Sequence, residues 1–187
     1  MNFCLYELAQ NHNIQDKMRE EINAVLQRHD NEFTYEAMKD MAYMEQVISE
    51  TLRKYPPIPV LFRTAVADYV VPGTNCVIDK KKSVFIPARA IHHDPEYYPD
   101  PEVFDPERFS PENSKNRHSS TFLAFGDGPR NCIGLRFGKM QTRIGLTVLL
   151  KNFKFSTCEA TKIPLEFDIK SFIPSPIGGI NLKVERV

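Results

Sequence analysis

Ile14, Met18, Ile22, Val25 and Leu26 recur three and four residues apart, so their spacing predicts a helix with one apolar face turned into a core. Ahead of it, Asn2 to Gln10 also reads as helical, with Leu5, Leu8 and Ala9 on one side, and Asn11-His12-Asn13 makes a turn between the two. Thr34 to Tyr55 predicts a further helix, closed by Pro56-Pro57. From Pro59 to Ile91 the pattern changes to short β-prone runs. These are Val60-Leu61-Phe62, Tyr69-Val70-Val71, Cys76-Val77-Ile78 and Ser83-Val84-Phe85-Ile86, broken by Pro72-Gly73 and by Asp79 to Lys82. His92 to Pro111 is too rich in proline for regular structure. Ile133 to about Leu150 predicts a helix with two faces. Ile133, Phe137, Met140, Ile144 and Val148 form an apolar stripe expected to pack inward, and Arg136, Lys139 and Arg143 share the other side. From Phe153 the tail reads as strands, turning at Pro174-Ser175-Pro176 and Gly178-Gly179.

The expected fold class is mainly α with small β-sheets, in one domain. Its segments are helices over 1–58, a β-rich stretch over 59–91 and a proline-rich meander over 92–124. A loop over 125–134, a helix over 135–151 and a β-rich tail over 152–187 follow. The chain opens on a helical pattern without a clear capping residue, so it is expected to be a piece of a longer protein.

With 187 residues the chain is long enough for a real core. Its zero formal charge argues against a general nucleic-acid binder. No apolar run of about 18 residues is present, nor a signal-peptide pattern at the start. The four cysteines are far apart and lack zinc-like pairing, and Cys4, Cys76 and Cys158 read as small buried hydrophobes.

Cys132 differs. It lies in Phe125-Gly126-Asp127-Gly128-Pro129-Arg130-Asn131-Cys132-Ile133-Gly134, where Gly126 and Gly128 let the backbone turn sharply against a flat partner. The predicted helix puts Cys132 at a helix N-terminus, which favours a thiolate. A thiolate held so is a good axial ligand for haem iron and favours O–O cleavage.

This decamer resembles the haem-binding signature of the cytochromes P-450, in which Phe, Gly, Arg, Cys and Gly fall at fixed spacing. Phe125, Gly128, Arg130, Cys132 and Gly134 fill all five places. Glu50-Thr51-Leu52-Arg53 matches the family's Glu-x-x-Arg pair, and Pro106-Glu107-Arg108-Phe109 matches its Pro-Glu-Arg-Phe run. On spacing alone, Glu50 and Arg53 are a solvated surface pair; the resemblance implies instead a buried ionic network with Arg108. It also implies that Arg130, Arg63 and His92 face the haem propionates, and that Phe62 and Phe172-Ile173-Pro174 border the substrate pocket. Two departures stand out. Lys81 occupies a hairpin position where glycine is usual, and Ala124 replaces a frequent proline.

The resemblance, which through Ala90 to Pro101 and the cysteine loop is most similar to insect xenobiotic-metabolising members, implies the C-terminal part of a microsomal monooxygenase. The cofactor would be haem b, with Cys132 on the iron. Dioxygen and NADPH-derived electrons would serve a small apolar substrate. NADPH-cytochrome reductase would be the donor, with cytochrome b5 as a second candidate. The implied location is the cytosolic face of the endoplasmic reticulum membrane, through an N-terminal anchor outside this chain. No catalytic residue is expected here, because the family's acid–threonine pair would precede Met1. Arg136, Lys139 and Arg143 form a face that would attract an acidic redox partner, or one that is merely solvated. Two other readings stay open: a haem-binding sensor without oxygenase activity, and an inert truncated product.

Overall fold

Apolar stripes from five helices meet in one core. In the computed structural model, which describes residues 1–115 and 117–187, these are α1 (Asn2–Gln10), α2 (His12–Arg28), α3 (Tyr35–Asp40), α4 (Ala42–Lys54) and α7 (Leu135–Asn152). Leu8, Met18, Ile22, Leu26, Met38, Met44, Val47, Leu146 and Leu150 are fully excluded from solvent there. Each such side chain contributes roughly 1.5–3 kcal/mol through burial. The α2 stripe read from sequence is buried along its whole length.

The stretch from Thr34 to Tyr55 is two helices rather than the expected one. Thr34 caps α3 by accepting the Ala37 amide at 3.1 Å. The chain then breaks at Met41, and the Glu21 carboxylate of α2 accepts the amides of Tyr43 and Met44 at 2.7 and 2.8 Å. An acid from another helix thus caps α4, where its negative charge also suits the helix dipole. Helix α4 ends at Lys54, before the two prolines.

Among the described residues the strands form three two-stranded antiparallel sheets. β1 (Leu61–Thr64) pairs with β4 (Ser83–Ile86), bringing Phe62 opposite Phe85. β2 (Tyr69–Val70) pairs with β3 (Val77–Ile78), and β5 (Phe153–Ser156) pairs with β6 (Lys183–Arg186). In the turn between β3 and β4, Lys81 has φ of +69°, the conformation that suits glycine.

The proline-rich section is more regular than expected. It contains the end of α5 (Ala88–His92), a 3-10 turn at Pro106–Phe109 and α6 (Pro111–Ser114). Pro106 and Pro111 sit at first-turn positions, where a missing N–H costs nothing, and the Asp105 and Ser110 side chains supply the caps.

Helix α7 overturns the expected orientation. It starts at Leu135, two residues later than the pattern suggested. Its protected stripe runs through Lys139, Arg143, Leu146, Thr147 and Leu150; of the expected stripe Met140 is partly buried against the core, whereas Ile133, Phe137, Ile144 and Val148 are exposed, Phe137 to 68%. No helix among the described residues is long and apolar enough to cross a membrane.

Candidate cofactor-binding site

The cysteine loop is held by its own backbone. Gly126 and Gly128 adopt φ of +72° and +74°, and the Asp127 carboxylate accepts the Gly128 amide at 2.7 Å. A 3-10 turn over Gly128–Arg130 follows, and the Cys132 amide closes the loop on the Phe125 carbonyl at 2.8 Å. Gly134 caps α7 without a side chain, and a Cβ built there would lie 3.9 Å from Cys132 Sγ. The thiol is free and exposed. Because α7 starts at Leu135, Cys132 lies before the helix rather than in its first turn; its carbonyl accepts the Leu135 amide at 3.3 Å.

Cys132 borders a cavity of about 510 Å³ whose other walls include Leu61, Phe62, Arg63, Phe125, Arg130 and Phe172. The Phe62 ring packs against Phe85 at 5.1 Å and Phe172 at 6.0 Å between centroids. Arg63 Nη2 stands 3.7 Å from where a Gly126 side chain would begin. Neither Arg63 nor Arg130 forms an ion pair among the described residues. The mouth therefore combines a soft sulfur donor, apolar walls and two guanidinium groups outside any ion pair among the described residues, although Arg63 Nη1 donates to the Phe62 carbonyl at 2.8 Å. That donor set fits haem, a flat apolar macrocycle with one soft axial position and two carboxylates.

His92 does not join this set, contrary to the expectation that it faces the propionates. It is fully buried; Nδ1 donates to the Arg53 carbonyl at 3.1 Å and Nε2 accepts the Leu123 amide at 2.8 Å. Burial holds its pKa down at about 4, so the ring is neutral and neither nitrogen is free. Its ring stacks on Phe122 at 5.5 Å.

Glu50 and Arg53 are a buried pair rather than a surface one. Both side chains are 0% exposed, joined by Arg53 Nε to Glu50 Oε2 at 2.7 Å and Nη2 to Oε1 at 2.9 Å. Burial pushes the Glu50 carboxyl up from its ordinary value, against the pull of Arg53. Arg53 also donates to the carbonyls of His92 and Pro101 at 2.8 and 2.7 Å, and Glu50 accepts the Asp105 amide at 3.0 Å. Arg108 comes within 3.5 Å of Glu50, but its Nε is buried without a hydrogen bond, so the contact is one of charge alone. Its Nη2 donates to the Asp100 carbonyl at 3.0 Å. A continuous path runs from α4 through Arg53 and His92 to Leu123, two residues before the loop. Sequence reasoning missed His92 as the second link, because both of its partners are backbone groups.

Lys139 and Arg143 do not form a free basic face with Arg136. Both turn toward α4 and share the Glu45 carboxylate, Arg143 Nη2 lying 2.5 Å from Oε2. Of the three, only Arg136 is exposed and outside any ion pair among the described residues. No local spacing signals Glu45, which lies 94 and 98 residues from its two partners.

The sequence model of the family described as Cytochrome P450 matches residues 1–184. Among curated proteins of Drosophila melanogaster, Cytochrome P450 6a8 is 58% identical over the whole chain and Cytochrome P450 6a2 is 54% identical over the same extent. Probable cytochrome P450 6a13 is 50% identical over 99% of the chain. The chain spans 37% of the length of 6a8 and 6a2, and 38% of that of 6a13.

Proposed function

This chain belongs to the cytochrome P450 family, and on that premise we propose that it forms the haem-thiolate portion of a monooxygenase, with Cys132 as the iron ligand. The observation that carries the reading is the exposed Cys132 thiol at the mouth of an apolar cavity that Arg63 and Arg130 also line, neither of them in an ion pair among the described residues. Bound haem b would supply the activation of dioxygen, one atom going to the substrate and the other to water.

The chain's own residues bind and orient. Cys132 Sγ would hold the haem iron. Arg63 and Arg130 offer charge-assisted hydrogen bonds to the two carboxylates, which lowers the cost of bringing them toward an apolar interior. Phe62 and Phe172 give the cavity an apolar wall that suits a small apolar substrate. Glu50, Arg53 and His92 hold Leu123, and with it the entry to the loop, in place. Phe125, Gly128 and Gly134 supply the loop closure, the turn and the space beside sulfur.

The proposal extends to a microsomal setting on the cytosolic face of the endoplasmic reticulum. NADPH-cytochrome reductase is the proposed electron source, cytochrome b5 a second candidate donor, and xenobiotic metabolism the setting. Arg136 is the proposed contact for an acidic donor. The acid–threonine pair that handles protons on the oxygen side is assigned to sequence preceding Met1 in the parent protein.

The test is haem reconstitution. The reduced carbon-monoxide adduct should show the red-shifted Soret band of a thiolate ligand, and Cys132→Ala or Cys132→His should lose it. Arg63→Ala should weaken haem binding by about tenfold, the scale of one hydrogen bond to a charged group. A thiolate band retained by Cys132→Ala would overturn the reading.

A further inference from the structure

Glu45 lies on α4, five residues before Glu50, and its two carboxylate oxygens serve different partners. Oε1 accepts from Lys139 Nζ, and Oε2 accepts from Arg143 Nη2 at 2.5 Å. Ser49 Oγ approaches Oε1 at 3.5 Å. The Lys139 and Arg143 side chains are only 20% and 15% exposed, so removing the carboxylate would leave two cations largely withdrawn from water and unpaired. Lys139 Nζ also stands 5.8 Å from the centroid of the Phe125 ring. Phe125 opens the cysteine loop, and its carbonyl accepts the Cys132 amide.

One carboxylate on α4 therefore grips the first turns of α7, downstream of Cys132. Through Lys139 it also fixes the ring at the upstream end of the loop. The same helix holds Leu123 through Glu50, Arg53 and His92. The loop is thus tied to α4 at both flanks, by two separate ionic anchors less than two turns apart.

We infer that Glu45 is a positioning residue for Cys132, acting through Lys139 and Arg143 to hold the cysteine loop closed. Its functional consequence rests on the reading of Cys132 as the iron ligand; the anchoring itself does not. The two cations would then serve the loop from inside, not a redox partner from outside.

Hydrogen exchange on the 187-residue chain tests the anchoring without haem. The Cys132 amide reports loop closure directly, and the amides of Met18 and Ile22 in α2 report the core. Glu45→Gln should speed exchange at Cys132 by about tenfold, the scale of lost hydrogen bonds to charge, and leave Met18 and Ile22 unchanged. Lys139→Met should act in the same direction and decides the matter if Glu45→Gln does not fold. Glu45→Asp, which keeps the charge, should recover part of the protection. Equal acceleration at all three amides would reduce Glu45 to general stability and overturn the inference, as would no acceleration at Cys132. A second arm reads the reduced carbon-monoxide spectrum of haem-loaded Glu45→Gln, which should shift part of the Soret band to the blue. If the unmutated chain shows no thiolate band, the haem reading fails while the exchange result still decides the anchoring.

Discussion

Arg53 grips Glu50 with two parallel hydrogen bonds of 2.7 and 2.9 Å, and both side chains are wholly excluded from water. A fork-to-fork pair in this setting is well satisfied as a unit and poorly satisfied if halved. Glu50→Gln leaves the Arg53 guanidinium against a neutral amide. The expected loss is roughly 3–5 kcal/mol, the cost of breaking a buried pair, and comparable to the whole stability of many domains. Thermal midpoints of the variant and the parent chain check it, as does the haem-to-protein ratio after reconstitution. A change below about 1 kcal/mol would match an exposed pair instead.

His92 makes stability depend on pH in a definite direction. Its folded pKa of about 4 lies below the ordinary 6.5 because burial disfavours the charged ring. Between those values the unfolded chain binds a proton that the folded chain does not. The contribution is therefore fully present above about pH 6.5 and is lost as pH falls toward 4, a change of roughly 3 kcal/mol from this group. His92→Phe should be less stable at pH 7, since it abandons the Arg53 carbonyl and the Leu123 amide, yet show a shallower acid slope. Denaturation midpoints at pH 7, 6, 5 and 4 would test the difference, and parallel slopes would contradict it.

Thr147 is a buried hydroxyl with poor company. Its Oγ1 lies 3.4, 3.7 and 3.9 Å from the sulfurs of Met41, Met38 and Met44, all of them core residues. Thioethers are weak acceptors. Replacing the hydroxyl with a methyl should therefore recover most of what is lost. Thr147→Val is expected to stay within about 1 kcal/mol of the parent, on the stabilising side, by chemical denaturation. A loss well beyond that would mean that the thioether contacts carry real weight.

Two backbone positions should respond in the stabilising direction for different reasons. Gly138 is inside α7, and a Cβ there meets nothing within 4 Å, so Gly138→Ala should add about 0.5–1 kcal/mol from helix propensity. Lys81, at φ of +69°, should gain up to about 1 kcal/mol as Lys81→Gly, less the entropy that glycine adds to the unfolded chain. Gly128→Ala should go the other way by about 1 kcal/mol or more, because φ there is +74°. Thermal midpoints of the three variants, each made singly, provide the comparison.

What the sequence determined by itself is what depends on near neighbours. The α2 stripe, the paired strand runs between Pro59 and Ile91, and the cysteine loop with its glycines all follow from spacing over a few residues. Periodicity and turn chemistry operate over that range. The same range hid the prolines' true positions, since Pro106 and Pro111 break a helix only when they are not its first residue. Tertiary structure alone decided which face of α7 is protected and where His92 points. Periodicity groups residues onto a face without saying what the face meets, and a long basic side chain can be withdrawn from water once an acid waits for it. That acid, Glu45, is 94 residues from Lys139 in the chain. Glu21 caps α4 from 22 residues away, and His92 satisfies both nitrogens on backbone groups 39 and 31 residues away. A hydrogen bond leaves no trace in local pattern when its partner arrives by folding, and each of these positions is set by one.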